Sequence, residues 1–135
     1  MNKTYKLSSP IIARNSVKCL NCNTEIVSNS QHDYVTCQCN KSFVDGGRVY
    51  LRFGGVLEYI KDTSIVSDDL LVIREYWTWK SYGKSGKEEG KYIILKNMDT
   101  EHIQAILDTQ WHIKETEIEE LFNLELEYRK DSNKE

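Results

Sequence analysis

"CLNCNTEIVSNSQHDYVTCQCN", residues 19–40, holds all four cysteines of the chain as two pairs, Cys19-x-x-Cys22 and Cys37-x-Cys39, with fourteen residues between them. A two-residue spacer lets a tight turn aim two thiolates at one ion, while N–H groups of the turn point at the sulfurs and stabilise their charge. Such a turn commonly needs a left-handed residue behind its second cysteine, where Gly is usual and Asn is tolerated. Asn23 follows Cys22 and Asn40 follows Cys39. The doubled pattern predicts one tetrahedral site of four thiolates, Cys19, Cys22, Cys37 and Cys39, with zinc as the suited ion. Four unrelated core thiols and a redox or iron role are the competing readings. Cys37-x-Cys39 is one residue shorter than the commonest knuckle, and His32 between the pairs could replace one thiol.

Working outward, "TEIVS", "DYVTC", "KSFVDGG" and "RVYLRF" are short, rich in Val, Ile, Tyr and Phe, and bounded by polar turn residues, as strands are. Two knuckles at hairpin tips, tied by one ion, describe a zinc ribbon over residues 16–55, preceded by an N-terminal arm, 1–15. So small a sheet does not stand on its own apolar burial, so the metal is read as structural. Four protein ligands leave no open position for metal-assisted hydrolysis.

The remainder is read as a β-hairpin and two-helix body, residues 56–130, with a frayed tail, 131–135. "LLVIREYWTWKSYG" alternates Val72, Arg74, Tyr76 and Thr78 against Ile73, Glu75, Trp77 and Trp79, which predicts a long strand pairing with "KYIILKNM" through the glycine-rich link "KSGKEEG". The string "GKSGK" is not a phosphate loop: that motif needs a Gly at position 78, which is Thr. Asp99 is placed to cap a helix carrying Ile103, Ile106 and Leu107, and Thr116 one carrying Ile118, Leu121, Phe122 and Leu124. The expected fold is therefore α+β, a zinc ribbon packed on a small antiparallel sheet with two C-terminal helices.

Composition narrows the function. With 135 residues, 39% hydrophobic and 29% charged, the chain has the make-up of a globular domain. A net charge of −3 gives no global basic field for nonspecific attachment to DNA or anionic membrane. No stretch approaches the roughly 18 apolar residues of a membrane span, so no membrane partner and a cytoplasmic location are expected. His102 and His112 sit among helix-forming residues and are read as surface or packing groups. No nucleophile, base and orienting carboxylate fall into a recognisable order, which points away from an enzyme.

One further cluster, "VDGGRVYLRFGG", follows the second knuckle. Asp45, Gly46 and Gly47 predict a tight turn, after which Arg48, Tyr50 and Arg52 would share one strand face and clamp a phosphate, a carboxylate or an unstacked base. The plainer account is a hairpin whose arginines pair with nearby acids. His32 and Asp33 complete the candidate binding surface.

The run "NSVKCLNCNTEIVSNSQHDYVTCQCNKSFVDGGRVYLRFGG" resembles a small cysteine-knuckle domain of uncharacterised proteins in tailed bacteriophages and prophages. Asn15-Ser16, His32-Asp33-Tyr34-Val35, Asp45-Gly46-Gly47 and Tyr50-x-Arg52 carry the likeness, and Asn23 and Asn40 depart from it where Gly is expected. The C-terminal "LKNMDTEHIQAILDTQ" and "ELEYRK" are similar to a second phage segment. The resemblance implies a virus-associated protein in a bacterial host cytoplasm and carries no established activity.

Three functions are then expected in descending order. The first is an accessory protein that binds and blocks a host protein or protein–nucleic-acid complex, such as a defence or CRISPR effector, with Trp77 and Trp79 as a candidate contact, although buried core is the use expected first of those rings. The second is a nucleic-acid regulator reading through Arg48, Tyr50 and Arg52. The third is a nuclease or nucleotide hydrolase, which would need His32, Asp33 and Asp45 to converge on a second metal.

Overall fold

The computed structural model describes residues 3–83 and 86–133. Lys84 and Ser85 of the hairpin link, and the last two residues of the expected tail, lie outside them. The fold is α+β, with antiparallel sheets and three α-helices. The chain divides into two compact units, one of Ile11–Val66 and one of Met1–Pro10 with Ser67–Glu135.

The cysteine unit is built from strands. β1 (Lys6–Cys19) runs into it across the boundary, and Pro10, the residue just before that boundary, has no N–H to give a ladder. β2 (Glu25–Ser28) and β6 (Ile60–Asp62) flank β1, with Val17 opposite Ile26 and Cys19 opposite Ile60. The second sheet is β3 (Val35–Thr36), β4 (Ser42–Asp45) and β5 (Arg52–Gly55), with Val35 and Phe53 both opposite Val44. Because side chains alternate along a strand, Val17, Cys19 and Ile26 from the first sheet share one core with Val44 from the second and with Cys37. Residues 6–15, expected as an arm, belong to β1 instead. Leu7, Ala13, Asn15, Val17 and Cys19 are buried at odd-numbered positions, the spacing of a strand with one face inward, and Ser16 is buried at an even one, where it bonds Thr63 and Ser64.

The "RVYLRF" segment departs from expectation. Only Arg52 onward is strand; residues 46–50 form a turn in which the N–H groups of Val49 and Tyr50 donate to Gly46 O at 3.0 and 3.3 Å. Gly46 has φ +103° and Gly47 φ +53°, and a Cβ on Gly47 would stand 2.3 Å from the Ser30 carbonyl carbon. Glycine is required there both for conformation and for space.

Towards the second unit, β7 (Ile65–Asp69) leads into α1 (Leu70–Tyr76), where a long strand was expected. Asp69 caps the helix, its carboxylate accepting from Leu71 N, and Leu70, Ile73 and Trp77 are buried at helical spacing. A period of 3.6 prevailed over an alternation that the sequence also allows. Strand begins only at β8 (Thr78–Ser81), which pairs with β9 (Lys91–Ile94) as a hairpin.

α2 (Thr100–Thr109) buries Ile103, Ile106 and Leu107, and α3 (Glu117–Ser132) buries Leu121, Phe122 and Glu125. Asp99 and Thr116 occupy the expected N-cap positions without side-chain capping bonds; the Thr116 hydroxyl donates instead to Ile113 O. Trp77 meets Phe122 edge-on at 5.5 Å and Trp79 meets it at 5.4 Å, so both rings pack on the core, the use expected of them before a contact surface. Asp131, placed in the tail, belongs to α3 and accepts from Lys3 and Tyr5 at 3.0 and 2.8 Å. Among the described residues no helix is long and apolar enough to cross a membrane.

Candidate metal centre

Cys19 ends β1, Cys22 follows in the next turn, and Cys37 and Cys39 lie in the turn between β3 and β4. Both asparagines behind the pairs have φ +61°, so each knuckle is closed by the left-handed residue its geometry needs. Cys19 N donates to Thr24 O at 2.8 Å and Asn40 N to Cys37 O at 3.0 Å, closing the two turns with backbone bonds.

The four Sγ atoms all lie within 4.8 Å of one another, with Cys19–Cys39 and Cys37–Cys39 at 3.6 Å. A disulfide requires about 2.05 Å, and all four thiols are free. Tetrahedral thiolates about 2.3 Å from one ion stand roughly 3.8 Å apart, so the set can hold a single metal ion. Among the described residues these four make the only group of three or more His, Cys, Asp or Glu side chains with that capacity.

The surroundings favour thiolates. A hydrogen bond from a neighbouring donor stabilises the charged form of a thiol. The Thr24 hydroxyl, 3.3 Å from Cys22 Sγ, pulls the Cys22 thiol down to about 5, helped by the N–H groups of Cys39 and Thr24. The Ser42 hydroxyl and the N–H groups of Cys22 and Asn21 lower the Cys19 thiol. That hydroxyl is buried and makes no regular hydrogen bond among the described residues, as befits a group aimed at a charged sulfur. At Cys39 the Asn21 side chain acts downward, but burial and the Cys37 and Cys19 thiols outweigh it and raise the thiol. The sequence pattern did not single out Thr24, Ser42 or Asn21, because a hydroxyl or amide aimed at sulfur is visible only in three dimensions.

The expected binding cluster comes together as a brace. Asn15, 1% exposed, donates through Nδ2 to Asp45 O and Gly47 O, both at 2.9 Å, and lies 3.1 Å from Tyr50 O. Ser28 Oγ donates to Asp33 O at 2.6 Å and accepts from Gly47 N at 3.0 Å. Asp33 accepts from Asn29 N and Asp45 from Gly46 N, each at 2.9 Å, while the Tyr50 ring folds over Gly46. Asn15 of β1 and Ser28 of β2 therefore hold the 45–50 turn, while Ser16 bonds elsewhere, to Thr63 and Ser64. His32 is exposed, Arg48 is half-buried in the turn with Tyr50 at its end, and Arg52 is on β5, so Arg48, Tyr50 and Arg52 share no strand face. Among the described residues His32, Asp33 and Asp45 make no metal-holding group. His102 and His112 line a cleft of about 350 Å³ in the other unit with Trp79, Tyr82 and Gln110, a shared location their separation in sequence did not reveal.

Residues 11–55 match a family model described as a domain of unknown function, DUF7695. The match opens on the first residue of the cysteine unit and closes on the last residue of β5, so it takes in both knuckles and the braced turn. No curated protein and no solved structure matches the chain.

Proposed function

We propose that this is a phage-type accessory protein whose zinc-held module binds a macromolecule of the bacterial host, in the host cytoplasm, and modulates or blocks it. The observation that carries the reading is the closed sphere of four cysteine sulfurs: once an ion is bound no coordination position is left for substrate, and the metal's work is to fix a surface. A surface held rigid by an ion loses little conformational entropy on docking, which suits a small protein that must engage a larger one. Zinc is the ion proposed, because four thiolates in tetrahedral reach match its preference and cytoplasmic conditions keep the thiols reduced. The second expected function, a nucleic-acid regulator, gains support from an exposed aromatic face on the β3–β4–β5 sheet. The hydrolase reading has lost its expected triad.

The test is capture from infected and uninfected bacterial lysates on the tagged, zinc-loaded chain, with and without nuclease, together with elemental analysis. A stoichiometric zinc and a nuclease-resistant host partner are expected. Sub-stoichiometric metal, or no host component retained, overturns the proposal.

A further inference from the structure

We infer that the outward face of β3–β4–β5 is a stacking platform for the unpaired bases of single-stranded nucleic acid, formed by Tyr34, Phe43 and Arg52. This goes beyond the host-partner reading by giving the module a nucleic-acid surface of its own, and rests on that reading for its biological setting only.

Register defines the face. Thr36 and Gly54 lie directly opposite Phe43, and Arg52 lies opposite Asp45, so these side chains project to one side while Val35, Val44 and Phe53 project to the other. Val44 is fully buried in the core, which leaves the Phe43 side pointing outward. Gly54 is needed here for space: a Cβ would stand 2.7 Å from Phe43 Cε1, so the phenyl ring lies over the backbone of β5. Tyr34 stacks on that ring at 4.9 Å with the planes 23° apart, and the Arg52 guanidinium stands 5.8 Å from the ring centroid. Tyr34 is 55% exposed. Phe43 is half-buried between the β5 backbone and the Tyr34 ring, so it backs Tyr34, and the exposed Tyr34 ring is the surface on which a base can stack.

The chemistry selects the occupant. Every base presents a π-face, so an aromatic stack with a guanidinium beside it accepts unpaired bases with little regard for sequence. The Ile11–Val66 unit carries six Lys and Arg against five Asp and Glu, whereas the rest of the chain carries twelve against sixteen. Four of those five carboxylates already accept hydrogen bonds within the unit: Glu25 from Arg14, Asp33 from Asn29 N, Asp45 from Gly46 N and Asp62 from Ser64 N. The charge balance of this unit, six against five, opposes a phosphate backbone less than the twelve against sixteen of the rest of the chain. Arg52 meets Asp45 at only 3.4 Å with its side chain 60% exposed, so its donors can turn to a phosphate. A flat ring on a sheet face stacks on a base only where that base is unpaired and splayed from its neighbours, which selects single strands over duplex.

The test is fluorescence anisotropy of the full-length zinc-loaded protein with a labelled twenty-residue oligothymidylate and oligouridylate, and with a duplex of equal length. Single strands are expected to bind in preference to duplex, more weakly as salt is raised. Tyr34→Ala should weaken binding roughly tenfold, the effect expected of one lost stacking partner. Tyr34→Phe should retain affinity, and Arg52→Gln should reduce both affinity and its salt slope. Tyr34→Trp supplies an independent signal, since its fluorescence should be quenched when a base stacks on it. No affinity for either strand, equal affinity for duplex, or wild-type binding by a folded Tyr34→Ala would overturn the inference. A nuclease-resistant host protein captured by a chain without oligonucleotide affinity would remove the platform and leave the host-binding proposal standing.

Discussion

Removal of the metal should unfold the cysteine unit while sparing the helical signal of the chain. The unit's contiguous core has five buried residues, Val17, Cys19, Ile26, Cys37 and Val44, and two of the five are candidate ligands. The three aliphatic side chains contribute about 5–9 kcal/mol together, at roughly 1.5–3 kcal/mol each. Structural zinc contributes an apparent stabilisation of about 10–16 kcal/mol in small modules, as much as the whole stability of a typical domain, about 5–15 kcal/mol. Losing the ion therefore removes a term the apolar core cannot replace, and Cys37→Ser, which alters one buried ligand by a single atom, should act in the same direction as a strong chelator. The assay is a ¹⁵N–¹H correlation spectrum before and after chelation. Amides of residues 11–66 should lose dispersion and exchange protection, and return when zinc is restored. Far-UV circular dichroism should keep its helical bands, because α1, α2 and α3 all fall between residues 70 and 132. Protected, dispersed amides at Val17, Ile26 and Val44 in the metal-free protein would refute the reasoning.

Two other perturbations probe the scaffold. Glu125, fully buried, accepts from Arg74 at 2.9 and 3.0 Å and from Arg129 at 2.6 Å. Glu125→Ala removes the carboxylate that both guanidinium groups share, leaving Arg129 only Thr100 Oγ1 and Leu95 O, and should cost about 3–5 kcal/mol in chemical denaturation followed by helical ellipticity; a loss below about 1 kcal/mol would contradict the buried network. At the knuckles, Asn23 stands at φ +61°, so Asn23→Gly should leave zinc affinity nearly unchanged. Asn23→Val forces a β-branched residue into that left-handed conformation at a cost of roughly 1–2 kcal/mol, read as an affinity weaker by about five- to thirtyfold in chelator competition.

The amino-acid sequence by itself determined the knuckles, because their requirements are local. Two thiols at short spacing and an Asn able to reach the left-handed region act within four residues, and the matching φ of Asn23 and Asn40 needs nothing from the rest of the chain. The same locality made α2 and α3 legible, since each carries its apolar stripe within its own residues. Residues 70–76 were misread because Leu70, Ile73 and Trp77 satisfy a helical period while the same stretch also alternates; what settled it was burial of that stripe and the engagement of Arg74 by Glu125, fifty-one residues away. Tertiary structure alone decided the rest. It brought Asn15 to the 45–50 turn, turning motif residues that resembled a binding surface into a brace, and it set the Ser42 hydroxyl against Cys19. It also laid Phe43 across Gly54 and beneath Tyr34, a contact spanning neighbouring strands that no local periodicity encodes. Spacing along the chain specifies groups that act within a turn; groups that meet across strands are specified by register, which is fixed only when the core closes.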